Sequence, residues 1–299
     1  MTSIVALFGD PVAGNPTSQM QNAAFRAAGL DWVYVDIRVP AEALPEAVSA
    51  ARTLGFAGLN LTIPHKVAVV PLLDVLEASA EITGAVNTVR REPDGRLVGL
   101  NTDGLGFLRA LSDAGINPAG ASVVLLGAGG AARAVAVELA LAGAAAVVVA
   151  NRSAPHCEQL VALLRRRTRV RAEGMLWVGR LTPPRCDLLV NCTPIGMGTG
   201  ATAAALPPVD IESLAAGTVV CDLNPDRAES AFVRAARARG LAAYGGLPML
   251  ARQGAVGYEA WTGLPAPLDL MVKALEDAAG PESAGGLMSP DPGLPDLVP

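Results

Sequence analysis

A glycine-rich segment between an apolar strand and a helix constrains the fold of this chain most strongly. The segment, SVVLLGAGGAARAVAVELALAG, spans residues 122–143. Its first five residues predict a buried strand, 122–126, and a helix is expected over 131–142. Gly127 permits a tight turn, while Gly129 and Gly130 leave room for a ligand close to the backbone. A strand, a glycine turn and a helix in this order predict a parallel α/β sheet.

The same turn has the chemistry of an anion site. The free N–H groups and the positive dipole end of the following helix favour a pyrophosphate. The pattern departs from G-x-G-x-x-G only by a small residue, Ala132, at the sixth position, and no G-K-[ST] follows. A dinucleotide is therefore favoured and a nucleoside triphosphate loop is excluded. The alternative is that the glycines only make the turn. The predicted contacts are Gly127, Ala128, Gly129, Gly130 and Ala131.

The end of the next strand distinguishes between two dinucleotides. That strand, 145–151, ends in Asn151, Arg152 and Ser153 instead of the Asp or Glu that usually binds the ribose of NAD. Arg152 can pair with a 2′-phosphate and stack on adenine, and its two neighbours can donate hydrogen bonds. NADP is therefore favoured over NAD. The alternative is that Arg152 is an ordinary surface arginine.

Short apolar strands alternate with helical patterns along nearly the whole chain. Continuous Val- and Leu-rich strands between helices predict sheets that are covered on both faces. We expect a two-domain α/β protein, with an N-terminal α/β substrate domain and a Rossmann-type doubly wound parallel-sheet domain for NADP. The first is predicted to span 1–103, completed by 241–279, and the second 104–240. The Pro- and Gly-rich residues 280–299 predict a disordered tail.

Composition excludes several classes of protein. The 299 residues carry a net charge of −5, which argues against a nucleic-acid partner. The apolar run LALAGAAAVVVA, 139–150, is too short to cross a bilayer, and no secretory signal pattern opens the chain, so a cytoplasmic protein is expected. None of the four cysteines forms a C-x-x-C pair, and the chain has only two histidines. No metal site is predicted, and reduced, mostly buried thiols are expected.

Eight ordered motifs together resemble the shikimate dehydrogenase family. They cover roughly residues 4–278 and read, in order, FGDPVAG, NLTIPHK, GAVNTV, NTDG, GAGGAAR, NRS, NCTPIGM and GGLPMLARQGAVGYEAWTG. This resemblance implies a catalytic pair of Lys66, which ends NLTIPHK, and Asp103 in NTDG. Oxidation of a secondary alcohol requires loss of the hydroxyl proton as hydride leaves, and a lysine beside a carboxylate can carry that proton.

The resemblance also implies contacts to the substrate and to the cofactor. The implied substrate contacts are Asn15, Thr17, Thr62, Asn87 and Gln253. The further cofactor contacts are Thr193, Met197 and Gly246. Several of these residues have structural alternatives: Asn87 can fix a hairpin, Asp103 can cap a helix that starts at Gly104, and Gln253 can face solvent.

Two departures from the family pattern concern the substrate. The family places two hydroxyl residues, S-x-S or S-x-T, after the first strand, where this chain has Asn15 and Thr17. The family also often has a tyrosine in a Y-N-P pattern, which is missing near Asn224 and Pro225. The resemblance implies a small cyclic hydroxy acid as substrate, and these two departures leave open which acid it is.

The predicted reaction is an NADP-dependent interconversion of shikimate and 3-dehydroshikimate, or of a close cyclic hydroxy acid. Quinate or an aminated shikimate analogue, with NAD or NADP, is an alternative substrate. A catalytically silent cofactor-binding paralogue is the alternative from another class. A monomer and a homodimer are both compatible with the sequence.

Overall fold

The computed structural model describes residues 2–12, 15–198, 200–225 and 229–279. The chain divides into two compact units: unit 1 comprises Met1–Gly106 and Ala251–Ala278, and unit 2 contains Phe107–Leu250. These limits, Gly106 and Leu250, lie three and ten residues beyond the predicted positions 103 and 240. The predicted tail, 280–299, lies outside the described residues.

The first part of the chain, with the last two helices, supplies the elements around unit 1. The strands are β1 (Ser3–Gly9), β2 (Trp32–Arg38), β3 (Gly58–Leu61), β4 (Val75–Leu76), β5 (Thr88–Arg91) and β6 (Leu97–Leu100). The helices are α1 (Thr17–Ala27), α2 (Leu44–Thr53), α3 (His65–Ala68), α4 (Ala78–Thr83) and α5 (Thr102–Asp113), and, after the elements of unit 2, α9 (Leu247–Thr262) and α10 (Leu268–Ala279). The helical pattern of residues 247–279 predicts a break at Pro265 and Pro267, and both prolines lie between α9 and α10.

The sheet of unit 1 brings several strand ends to one edge. Its order is β2-β1-β3-β5-β6-β4, and β5 is antiparallel to both of its neighbours. The carboxyl ends of β1, β3 and β6 therefore lie at the same edge as the first residue of β5. A core of Phe8, Leu59, Leu61, Val89 and others packs against the sheet and fixes this register.

The middle of the chain forms the elements of unit 2. The strands are β7 (Ser122–Leu126), β8 (Ala146–Asn151), β9 (Arg171–Leu176), β10 (Leu188–Asn191), β11 (Val219–Asp222) and β12 (Ala243–Tyr244). The helices are α6 (Gly130–Leu141), α7 (Ala154–Arg167) and α8 (Ala231–Ala238).

The sheet of unit 2 is parallel throughout its described strands. Its order is β12-β11-β10-β7-β8-β9, so the chain starts in the middle, builds outward on one side and then crosses to the other. This is the doubly wound order, in which ligands bind where the winding reverses, here between β7 and β10. The predicted α/β class with a Rossmann-type parallel sheet is confirmed.

Within the described residues, no helix is long and apolar enough to cross a membrane.

Candidate active site

Lys66 lies just beyond β3, and two hydrogen bonds of the residues around it fix the position of its backbone. The preceding His65 is fully buried, and its Nε2 lies 2.7 Å from the carbonyl oxygen of Val39, to which it donates. The N–H of Val86 donates to the carbonyl of Lys66 at 2.7 Å. These two bonds hold the short helix α3 at the sheet edge and leave the Lys66 side chain half-exposed.

Lys66 and Asp103 form an ion pair. Nζ of Lys66 donates to Oδ2 of Asp103 at 2.8 Å, with the two side chains 36% and 21% exposed. The other carboxylate oxygen, Oδ1, accepts from Nδ2 of Asn87 at 2.7 Å. A partly solvated pair of this kind contributes little to stability. Its consequence is geometric, because the carboxylate holds the ammonium group at one place.

The structural alternative for Asp103 is wrong in detail. Helix α5 begins at Thr102, not at Gly104, so Asp103 lies within its first turn. The N–H of Asp103 donates to Oδ1 of Asn101 at 3.3 Å, which makes Asn101 the residue that satisfies the helix start. The Asp103 carboxylate is thereby left to Lys66 and Asn87.

Asn87 and Gln253 meet next to this pair. Oε1 of Gln253 lies 3.4 Å from Nδ2 of Asn87 and 3.2 Å from Oγ1 of Thr102. Gln253 is half-buried and does not simply face solvent, as the alternative proposed. The side chain of Asn87 also supports the hairpin, as the structural alternative expected, since its Oδ1 accepts from the N–H of Thr102, just after β6, at 2.8 Å. Lys66, Asn87, Asp103 and Gln253 are called the Lys66 cluster below.

A glycine allows Gln253 to come this close. A Cβ placed on Gly106 of α5 would lie only 2.6 Å from the backbone nitrogen of Gln253 on α9. Real Cβ atoms do not approach backbone so closely, so the position requires glycine.

The remaining predicted substrate contacts lie at the same sheet edge without a hydrogen bond to the Lys66 cluster. Thr62 follows β3, and its methyl group packs against Gly9. Oδ1 of Asn15 accepts from the N–H of Thr17, the first residue of α1, at 2.9 Å. Thr17 itself is buried, with 6% of its surface exposed. This bond leaves Nδ2 of Asn15 as the group that can meet a ligand.

A row of buried polar side chains lies behind the Lys66 cluster in unit 1. The sequence did not predict this row. Its members are Tyr34, Asn60, Thr88 and Thr102, each no more than 9% exposed, and they are called the buried polar row below. The signal in the sequence was Asn60, an amide in an otherwise apolar strand, since buried polar side chains require partners.

The predicted glycine turn of unit 2 lies at the point where the winding reverses. Gly127 has a φ of 108°, and a Cβ there would lie 3.1 Å from Cγ2 of Thr193. Gly129 and Gly130 have nothing within 4 Å of the position where a Cβ would stand. Of the flanking alanines, Ala128 is half-buried and Ala131 is exposed. The open backbone at the start of α6 can therefore receive a phosphate group.

Arg152 is exposed beyond the end of β8 and forms no hydrogen bond or ion pair within the described part of the chain. Next to it, Nδ2 of Asn151 donates to the carbonyl of Ser153 at 3.0 Å, and Ser153 precedes α7. The guanidinium group is thus free to bind an anion beside a helix start.

The loop after β10 is held by a buried carboxylate that was not predicted. Asp222, 1% exposed, accepts from Ser230 Oγ at 2.6 Å and from Asn191 Nδ2 at 2.9 Å. Burial raises the pKa of Asp222, while the bond from Ser230 opposes that shift. Asn191 in turn accepts from Oγ1 of Thr193 at 2.7 Å, and Met197 further along the loop is 39% exposed. The predicted contacts Thr193 and Met197 therefore lie on a loop whose base is fixed.

Gly246 has a packing role that the prediction of a cofactor contact did not include. A Cβ at Gly246 would collide with the carbonyl oxygen of Leu223 and would lie 2.7 Å from that of Asn224. Backbone atoms at a strand end cannot move aside cheaply.

We expect Gly246→Ala to lower the free energy of unfolding by about 1–3 kcal/mol, because a methyl group is forced against fixed backbone. Denaturant unfolding measures this loss. Gly217→Ala is the matched control, since Gly217 is exposed and a Cβ there meets nothing within 4 Å. Equal stability of the two variants would contradict the packing role.

The described cysteines are free thiols, and three of the four are buried. Burial raises the pKa of Cys192, beside the Thr193 loop, and that of Cys221, and it raises the pKa of Cys186 to about 12. These thiols are therefore protonated and are poor nucleophiles. Among the described residues, no group of three or more His, Cys, Asp or Glu side chains is arranged to hold a metal ion.

Three known protein families match segments of this chain. A family described as shikimate dehydrogenase substrate binding domain matches residues 7–89. One described as shikimate / quinate 5-dehydrogenase matches 110–174, and a shikimate 5'-dehydrogenase C-terminal domain matches 246–276.

Individual relatives span almost the whole chain. The shikimate dehydrogenase (NADP(+)) of Rubrobacter xylanophilus is 44% identical over 280 residues, which cover 92% of this chain and 95% of that protein. The Thermus thermophilus shikimate 5-dehydrogenase, solved with NADP(H) and shikimate, is 36% identical, with a TM-score of 0.79 over 92% of this chain and 99% of that one. The ligand-free 5-ketofructose reductase of a Gluconobacter species is 42% identical, with a TM-score of 0.89 over 93% and 99%.

Proposed function

Because the chain belongs to the shikimate dehydrogenase family, we propose that it catalyses the reversible, NADP-dependent oxidation of shikimate to 3-dehydroshikimate. The observation that carries this proposal is the 2.8 Å ion pair between Lys66 and Asp103, with Asn87 on the second carboxylate oxygen. A lysine held by a fixed carboxylate can take the hydroxyl proton when an alcohol is oxidised and return it in the reduction.

Lys66 is the proton-transfer group in this proposal. An ammonium has three donors, of which one is directed at Asp103. In the direction of reduction, a second N–H of Lys66 gives its proton to the carbonyl oxygen of the substrate as the C–O bond becomes that of an alcohol. In oxidation the same proton returns from the hydroxyl to Nζ. Asp103 keeps Nζ in place for both directions of transfer.

The residues of unit 2 fit NADP. The open backbone at Gly129 and Gly130 suits the pyrophosphate, and the unpaired Arg152 suits a 2′-phosphate. No carboxylate stands at positions 151–153 to repel that phosphate. When bound, NADP supplies the acceptor or donor of the hydride, while the side chains of the protein supply the proton transfer.

We expect Arg152→Ala to weaken NADP binding by about tenfold or more and NAD binding by less than about twofold, because a charge-assisted bond to the 2′-phosphate is lost. Fluorescence titration with both dinucleotides measures the ratio of affinities. Arg166→Ala is the control: it removes the same charge from the exposed last turn of α7, about 18 Å along the helix. An unchanged ratio in Arg152→Ala would remove Arg152 from the cofactor site.

A second candidate reaction is reduction of a neutral polyhydroxy ketone. It is favoured by the 42% identity to a 5-ketofructose reductase together with the amide of Asn15 at the position of the usual hydroxyl pair. Oδ1 of Asn15 already accepts from the N–H of Thr17, so the amide N–H group of Asn15 can bind a hydroxyl as readily as a carboxylate. Quinate and an aminated shikimate analogue remain alternatives within the acid class.

Steady-state assays test these possibilities directly. The substrates are shikimate, quinate, aminoshikimate and 5-ketofructose, each with NADP(H) and NAD(H). The proposal requires the highest kcat/KM for shikimate with NADP. If kcat/KM were highest for 5-ketofructose, reduction of a neutral polyhydroxy ketone would be the function instead. If the protein bound NADP but turned over none of the four substrates, the catalytically silent cofactor-binding paralogue would be the interpretation that remains.

A further inference from the structure

We propose that the buried polar row sets the orientation of the side-chain amides of Asn87 and Gln253, and that its members are positioning residues for the substrate. This inference rests on the proposed function. A backbone N–H can only donate and a backbone carbonyl can only accept. A side-chain amide that is bonded to one of them therefore has a known orientation, and the direction of the neighbouring hydrogen bonds follows from it.

Asn60 has one possible orientation. One of its amide atoms lies 2.9 Å from the carbonyl oxygen of Asn87, which can only accept, so that atom is Nδ2. Oδ1 of Asn60 therefore faces the hydroxyl of Tyr34 at 2.7 Å, and Tyr34 must donate. Burial raises the pKa of Tyr34 well above its ordinary value, with Asp36 adding to the shift, so the hydroxyl keeps its proton.

The direction continues through two hydroxyl groups. Nδ2 of Asn60 also donates to Oγ1 of Thr88 at 2.9 Å. Thr88 thus receives one bond, and its own proton is available to Oγ1 of Thr102, 3.2 Å away. The donors therefore follow one direction, from Tyr34 to Asn60, from Asn60 to Thr88 and from Thr88 to Thr102, which is next to the Lys66 cluster.

The row ends on the two amides. The N–H of Thr102 can only donate, so the Asn87 atom 2.8 Å from it is Oδ1, and Nδ2 faces Asp103. Nδ2 of Asn87 faces three acceptors: Oδ1 of Asp103 at 2.7 Å, Oγ1 of Thr102 at 3.0 Å and Oε1 of Gln253 at 3.4 Å. With Thr88 donating to it, Thr102 can direct its own hydroxyl proton to Oδ1 of Asn87 or to Oε1 of Gln253, each 3.2 Å away, and so faces the oxygen of both amides.

Gln253 is therefore left with its Nε2 group outward. That group has no hydrogen-bond partner within the described residues, and the side chain is half-buried. A half-buried amide donor whose oxygen is held from behind can bind an oxygen atom of the substrate without reorganisation. If the amide of Gln253 were flipped, it would offer the substrate an acceptor, and its NH₂ group would face the donors of Asn87 and Thr102.

Two substitutions at Thr88 separate this role from simple packing. Thr88→Val keeps the shape and removes the hydroxyl, and we expect kcat/KM for shikimate to fall about tenfold to a hundredfold, since small misplacements near the reacting groups have effects of this size. The KM for NADP is expected to stay unchanged. Thr88→Ser keeps the hydroxyl and loses a buried methyl group, so we expect kinetics within about twofold of wild type despite lower thermal stability. A valine variant with wild-type kinetics would overturn the proposal, as would a serine variant as impaired as valine.

A matched pair of tyrosines tests the far end of the row. Tyr34→Phe removes the first donor, and we expect the substrate KM to rise severalfold. Tyr258→Phe is the control: Tyr258 is also fully buried in unit 1, but its hydroxyl has no partner among the described residues. The control is expected to keep wild-type kinetics. Identical kinetics of the two variants would contradict a positioning role for Tyr34 and would exclude it from the buried polar row.

An activity-independent measurement distinguishes failure of this inference from failure of the proposed function. In protein labelled with nitrogen-15 on Asn and Gln side chains, the amide signals of Asn87 and Gln253 should shift in Thr88→Val and not in Thr88→Ser. This result supports the row even if wild type turns over none of the four substrates. Unchanged signals in the valine variant would refute the row while leaving the proposed function intact.

Discussion

Lys66→Met is expected to lower kcat by a factor of about 10²–10⁴ while leaving NADP affinity within about twofold of wild type, because it removes the proton-transfer group and keeps the length of the side chain. Lys66 belongs to unit 1, whereas the glycine turn and Arg152 belong to unit 2. Stopped-flow measurement of the hydride step, with fluorescence titration of NADP, separates the two quantities.

The composition of the chain provides an unusually clean control. The sequence contains two lysines, Lys66 and Lys273, although it has 23 basic residues in all. Lys273 is exposed on α10, so Lys273→Met makes the same substitution away from the Lys66 cluster and is expected to be silent. If Lys66→Met weakened NADP binding as much as it lowered kcat, Lys66 would be structural.

The preference for arginine elsewhere also bears on the role of Lys66. Arginine stays protonated under all ordinary conditions and cannot exchange a proton in a reaction, whereas lysine can. A chain that uses arginine for nearly every other cation has a lysine beside Asp103. A simple ion pair could equally be formed by arginine, so the proton-transfer role accounts for the residue type better than a structural role does.

The sequence predicted the features that depend on local patterns. The glycine turn after β7, the hairpin of β5 and β6, and the break at Pro265 and Pro267 all follow from short-range steric rules. The family resemblance, carried by ordered motifs, is confirmed by the matching families and relatives. Strand β9 was missed because its exposed residues, such as Arg171 and Glu173, give an edge strand little apolar signal.

The contacts that depend on register could not be predicted. Asn60 and Thr88 are opposite each other only because β3 and β5 pair in one antiparallel register. Tyr34 reaches Asn60 from β2, which is separated from β3 by β1. A single sequence specifies neither pairing, so Tyr34 and Thr88 look like ordinary strand positions, and Asn60 indicates only that some partner is needed.

The second large effect concerns Asp103. We expect Asp103→Asn to lower kcat by about 10²-fold, because the amide cannot satisfy both donors that now meet the carboxylate. Turning its oxygen to Nδ2 of Asn87 places an NH₂ group against the ammonium of Lys66. The control is Asp94→Asn, which removes one negative charge from an exposed turn, and kcat should stay at the wild-type value.

A double-mutant cycle tests whether Asp103 acts through Lys66. If it does, Lys66→Met combined with Asp103→Asn should be no slower than Lys66→Met alone, within a factor of about three, since residues that act as a unit are not additive. Reductive carbon-13 methylation adds a readout that does not need turnover, because the label enters only Lys66, Lys273 and the N-terminal amine. The Lys66 signal should shift in Asp103→Asn and the Lys273 signal should not. Fully additive losses in the cycle would show that Asp103 acts on the substrate independently of Lys66.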